Sequence, residues 1–125
     1  MVLREAGEMY LETILIIGQR QETVRSIDIA RQMGYSKPTI SEQMKRLREN
    51  GYLKMDEQGL ITLTGKGKKI AEGIYDRHKV ISKILINLGV SEKTATEDAC
   101  RIEHYISQET FDCMKKNYEK AKTTG

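Results

Sequence analysis

The sequence predicts a mainly α chain in which a winged helix-turn-helix precedes a second, wholly helical half. Three observations carry that fold class. Apolar residues recur at helical spacing along most of the chain, which holds a single proline and no tryptophan. Two helical stretches meet at a glycine-containing turn between residues 24 and 50. Two short apolar runs follow directly, Tyr52–Met55 and Leu60–Leu63, around Asp56-Glu57-Gln58-Gly59, which is a hairpin signal.

At 125 residues the chain fits one compact domain or two small ones sharing a core. Its longest apolar runs, Ile14–Ile17 and Ile84–Ile86, are far too short to span a membrane. The N-terminus shows no signal-peptide pattern, so a cytoplasmic location is expected, with no membrane partner and with Cys100 and Cys113 as reduced thiols. A net charge of +3 permits nucleic-acid binding without requiring it, so distribution matters more. Lys37, Lys45, Arg46 and Arg48 cluster in one segment, and Lys66, Lys68 and Lys69 in another.

Taken in order, the first helix is expected from Leu3 to about Gly18, with Met9 on its apolar face and Glu12 in solvent. A short helix with Ile27, Ala30 and Met33 inward then turns at Gly34. Ser36 is a good N-cap for the next helix, and Pro38 falls in its first turn, where amide hydrogens lack helical partners anyway. That helix buries Ile40, Met44 and Leu47 and stops at Asn50-Gly51. In a helix-turn-helix it is the recognition helix, whose N-terminal end meets base edges in the major groove of duplex DNA. Its exposed candidates are Ser36, Lys37, Pro38, Thr39, Ser41 and Glu42, with Lys45 and Arg46 for phosphates.

Thr64 caps a long helix running to about Leu88, with Ile70, Ile74, Val80, Ile81, Ile84, Leu85 and Leu88 as its apolar face and His78 in its middle. Ser91 and Ser107 are N-caps of two further helices, the last with Phe111, Met114 and Tyr118 as its stripe. This half is too small to hold much core alone, so a homodimer is expected. The helix after Ser91 carries Cys100, Glu103 and His104 at i, i+3 and i+4, which places a thiol, a carboxylate and an imidazole on one face. Each is a capable ligand for a divalent metal. The bland alternative is a core cysteine beside an exposed Glu-His pair.

Several stretches together resemble the family of the diphtheria toxin repressor and the manganese transport regulator. They are Glu8-Met9-Tyr10-Leu11, Ile29-Ala30, Ser36-Lys37-Pro38-Thr39-Ile40-Ser41, Leu63-Thr64-Gly65-Lys66-Gly67, Arg77-His78, and Glu97 to His104. The resemblance covers nearly the whole chain. It implies a winged-helix DNA-binding domain over residues 1–72 and a helical dimerisation and metal-binding domain over 73–125. It also implies a repressor of metal-ion homeostasis, switched on for a palindromic operator by metal. Carried over by position, the family's primary metal site falls on Met9, Cys100, Glu103 and His104. A second site falls on His78 and Glu12, although two further ligands of the toxin-repressor branch meet Ser82 and Thr96. Glu42 stands where that branch has a glutamine, and the chain ends before the SH3-like domain of longer members.

The manganese-regulator branch has two carboxylates where this chain has Met9 and Cys100. Thioether and thiolate are softer donors, so Fe(II) is the expected ion, Mn(II) the alternative, and Co(II), Ni(II) or Zn(II) the substitutes in vitro. An ion ligated from both halves is expected to fix the separation of the two recognition helices in the dimer. A winged-helix regulator sensing redox state through Cys100, with no metal requirement, is the rival. An enzyme is not expected, because no nucleophile-base pair stands beside these ligands.

Overall fold

A computed structural model describes residues 5–124, with side chains described for 5–121. The expected start of the first helix at Leu3 lies outside the described residues. The structure has six helices and one hairpin among those residues: α1 (Glu5–Arg20), α2 (Ser26–Met33), α3 (Lys37–Glu49), β1 (Leu53–Met55), β2 (Ile61–Leu63), α4 (Gly65–Asn87), α5 (Glu92–Ile102) and α6 (Gln108–Thr124). They form two compact units that divide between Glu72 and Gly73, inside α4.

In the N-terminal unit the short helices start and stop where local chemistry dictates. Asp28 in the first turn of α2 accepts a hydrogen bond from the Arg25 amide at 2.9 Å, which satisfies a donor ahead of the helix. Gly34 ends α2 in the left-handed region, φ 74°, where a Cβ would be strained. Ser36 Oγ accepts from the Thr39 amide at 3.3 Å and so caps α3, with Pro38 in the first turn. β1 and β2 pair antiparallel with Leu53 opposite Leu63 and Met55 opposite Ile61. The acidic hairpin tip has a structural cause: Asp56 Oδ1 accepts from the amides of Gln58 and Leu60, both at 2.9 Å, and closes the turn.

The core of this unit gathers Leu11, Ile14 and Ile17 of α1, Ile29 of α2, Ile40, Met44 and Leu47 of α3, and Leu53 and Ile61 of the hairpin. Ile29 and Ala30 are the residues α2 buries, whereas Ile27 is only half-buried. The expected assignment of Ile27 to the core is corrected to Ile29, two positions on, because α1 and α3 pack on α2 from the side that Ile29 faces. The hairpin is anchored by the Ile61 amide, which donates to the Val24 carbonyl at 2.8 Å.

The C-terminal unit has its own apolar cluster of Val80, Ile81, Ala99 and Phe111, with Ile84, Leu85, Ile102, Met114 and Tyr118 packed against it. Ser91 Oγ and Ser107 Oγ accept from the Thr94 and Thr110 amides at 3.4 and 3.1 Å, capping α5 and α6. Leu88, expected on the buried face of α4, is 75% exposed instead. It lies beyond the last turn, where Gly89, at φ 104°, takes the chain away from the helix axis.

Candidate metal centre

The middle of α4 and the end of α5 bring three donor groups together within the C-terminal unit. His78 Nδ1 lies 3.0 Å from Glu103 Oε2 and 3.7 Å from Cys100 Sγ, and the three ligand atoms all fall within 4.8 Å of one another. The Glu103 side chain is almost wholly buried, yet its Oε1 accepts no hydrogen bond. A buried carboxylate oxygen without a donor is costly unless something positive meets it. His104 Nε2 stands 3.4 Å from that oxygen, as an ion-pair partner when protonated.

The expected primary site is Met9, Cys100, Glu103 and His104, with His78 and Glu12 in a second one. The structure brings His78 of that second set beside Cys100 and Glu103. α5 ends at Ile102, and Glu103 is its C-cap. The Ile102 carbonyl accepts from the Tyr105 and Ile106 amides at 3.0 and 3.2 Å, so the chain turns there. Glu103 itself keeps helical dihedrals, and His104 Nε2 approaches its other oxygen at 3.4 Å. His78, one helix away, takes the place beside the thiol. The exposed Glu-His pair of the bland reading is not observed, since both side chains are nearly solvent-free.

Hydrogen bonds to Cys100 and then to Glu103 push His78 up to about 10, against burial, which alone would lower it. In the metal-free protein the imidazolium thus occupies the middle of the donor set. Imidazole nitrogen, sulfur and carboxylate oxygen are the donor types that transition metals share. Donors held about 2.0–2.3 Å from one ion stand roughly 3–4 Å apart, and the spacings here match that requirement. The residues present fit a divalent transition metal.

Of the other expected ligands, Met9 and Glu12 lie on α1 in the N-terminal unit. Their burial inverts the expectation: Met9 is 39% exposed and Glu12 only 9%. Ser82 is buried with its Oγ unpartnered, and Thr96 turns its hydroxyl to the Glu92 carbonyl at 2.9 Å.

On α3 the expected DNA-contact residues Ser36, Lys37, Pro38, Thr39, Ser41, Glu42, Lys45 and Arg46 are all exposed, while Ile40, Met44 and Leu47 are buried. The helix is thus split into a core face and a polar face. Sequence reading missed Tyr35, which is 47% exposed at the foot of this helix and edge-on to the buried Tyr10, ring centroids 6.4 Å apart. It named Arg77 only as part of the resemblance and gave it no role; the guanidinium spans the turn after α5. A large aromatic next to an N-cap serine was the available signal for Tyr35. Nothing in residue spacing marks Arg77. Among the described residues no helix is long and apolar enough to cross a membrane.

Two family descriptions match the chain. The N-terminal DNA-binding domain of iron-dependent repressors matches residues 2–64, and their metal-binding and dimerisation domain matches residues 64–124. The transcriptional regulator MntR of Escherichia coli O6:H1 is 34% identical over 112 residues, covering 90% of this chain and 72% of that protein. An uncharacterised HTH-type transcriptional regulator of Methanocaldococcus jannaschii is 36% identical over 122 residues, covering 96% of this chain and 98% of that protein. The solved structure of the manganese regulator SloR superposes with a TM-score of 0.78 at 30% identity, covering 94% of this chain and 55% of its own. This chain therefore spans little more than half the length of that structure. A regulator without a metal requirement, sensing through Cys100 alone, gains no support from these similarities.

Proposed function

We propose, because this chain belongs to the iron-dependent repressor family, a family of transcriptional regulators and not of enzymes, that it represses transcription when a divalent ion occupies the His78-Cys100-Glu103 cluster. The observation that carries the proposal is the buried Glu103 carboxylate, one oxygen without a hydrogen bond, beside an imidazole and a thiol. In this reading residues 1–72 form the DNA-binding part and 73–125 the metal-binding and dimerisation part. His104 joins the cluster through Glu103, and ligand roles for Met9 and Glu12 are taken from the family resemblance.

When bound, the ion supplies the positive charge that holds these donors in one arrangement. The chain does the remainder. Cys100 and His78 shed protons to become donors, and Glu103 contributes a carboxylate already stripped of water. α3 presents Ser36, Lys37, Pro38, Thr39, Ser41 and Glu42 to base edges, while Lys45 and Arg46 meet phosphates. A palindromic operator suits a homodimer, with half-sites about 34 Å apart or a multiple of it. The apolar groove between α4 and α6, about 500 Å³ and lined by Ile84, Leu88, Cys113, Met114 and Tyr118, is the face proposed for the second copy. By linkage, operator and metal strengthen each other's binding.

Cys100 favours Fe(II), since a thiolate is a softer donor than a carboxylate. Mn(II) is the second reading, favoured by the relatives' description as manganese regulators. Anaerobic titration of the reduced chain with each ion, for the native sequence and for Cys100→Ser and Glu103→Gln, tests the site. Both substitutions should weaken binding by at least about tenfold; unchanged affinity in either would remove that residue from the ligand set.

A further inference from the structure

The turn between α5 and α6 carries Glu103 and His104, and one side chain from α4 holds it. Arg77 Nη1 donates to the carbonyl of Glu103 and to the carbonyl of Ile106, both at 3.0 Å. Its Nη2 donates to Gln108 Oε1 at 2.7 Å, and its guanidinium carbon sits 5.5 Å from the ring centroid of Phe111. The two carbonyls stand at the C-terminal end of α5, where helical acceptors run out of donors and the helix end is negative. A planar cation with several fixed donors suits that end better than an ammonium group does.

We infer that Arg77 is a positioning residue for the metal centre, fixing the main chain on both sides of His104 while its own peptide neighbour, His78, enters the cluster. The Glu103 carbonyl belongs to the peptide that leads into His104, and the Ile106 carbonyl closes the same turn. Arg77 thereby ties α4, which supplies His78, to the turn that supplies Glu103 and His104. It touches no ligand side chain and acts through the backbone. The inference rests on the metal-centre reading.

A second tie of comparable geometry provides the control. Lys115 Nζ on α6 meets Asp76 Oδ2 on α4 at 2.8 Å, next to Arg77 in sequence but away from the ligand turn. A role in general packing makes the two ties equivalent. A positioning role makes only Arg77 matter for the ion.

The test uses the full chain with Co(II) as probe, reading affinity and the sulfur-to-cobalt absorption band. Hydrogen exchange at the Glu103, Tyr105 and Ile106 amides is followed in metal-free protein. Arg77→Met should weaken Co(II) binding by about 10- to 100-fold, shift the band and speed exchange at those amides. Arg77→Lys, which keeps the charge and guards against a variant that fails to fold, should fall between. Lys115→Met should leave affinity and band unchanged. Native affinity and band in both Arg77 variants would overturn the inference, as would an equal loss in Lys115→Met. If the native chain itself gives no Co(II)–sulfur band, the metal-centre reading fails and the inference with it, whatever the exchange at the turn shows.

Discussion

Gly67 lies in the first turn of α4, where a Cβ would run into the carbonyl of Tyr52. That carbonyl accepts from the Thr64 amide at 3.2 Å, and Lys66 Nζ stands 4.2 Å from the centroid of the buried Tyr52 ring. Backbone cannot swing aside as a flexible side chain can. Gly67→Ala should therefore destabilise the chain by about 1–3 kcal/mol, the usual range for overpacking, read as a lower urea midpoint. An unchanged midpoint would mean that the contact relaxes without cost. His78 makes a second prediction at this scale. With its folded value at about 10 against an ordinary 6.5, its proton stabilises the metal-free fold fully below 6.5, and that contribution fades as pH rises through about 10. Metal must displace this proton, so metal affinity should climb across the same window. His78→Gln should reduce both slopes, measured as thermal midpoint and Co(II) affinity against pH; undiminished slopes would assign them to another group. Single residues were the least legible part of the sequence. Apolarity alone turns Met9 inward and Glu12 outward, and the structure does the reverse. What a helix buries depends on the surfaces it meets, which residue spacing does not contain.

Elements were far more legible, because their ends are written in local chemistry. Ser36, Ser91 and Ser107 each cap a helix as their positions predict, and the hairpin sits where two apolar runs flank Asp56 to Gly59. Ser36 offers a test that separates two roles of one hydroxyl. Ser36→Ala should lower stability by about 1 kcal/mol, whereas Ser36→Gly, whose backbone suits a cap, should lose only a few tenths. Both remove the hydroxyl from the proposed DNA face, so both should weaken operator binding alike. Operator affinity that tracks stability across the pair would show that Ser36 matters only as a cap. The end of α5 was not legible. Helical spacing carries through Glu103 and His104, yet α5 is capped at Glu103, and the carbonyls of Glu103 and Ile106 are met by Arg77 from a helix distant in sequence. His78 on α4 stands beside Cys100 and Glu103, a juxtaposition that spacing within α5 does not contain.

At the scale of the molecule, two compact units with separate apolar clusters follow from a sequence whose first half alternates short helices with a hairpin and whose second half is helical. The exposed Leu88 and the neighbouring groove leave apolar surface that a second copy would cover. Leu88→Asp should shift the chain toward monomer in sedimentation and weaken operator binding in proportion; an unaltered dimer would place the subunit interface elsewhere. The link from cluster to DNA is the claim on which the functional reading turns. The most direct measurement is binding of the reduced chain to a family-type palindromic duplex, under anaerobic conditions, as Fe(II) or Mn(II) is titrated and then chelated. Binding that rises with the ion, falls with the chelator and is lost in Cys100→Ser is the predicted result. Equal DNA affinity with and without metal would contradict it and leave a winged helix with no metal switch.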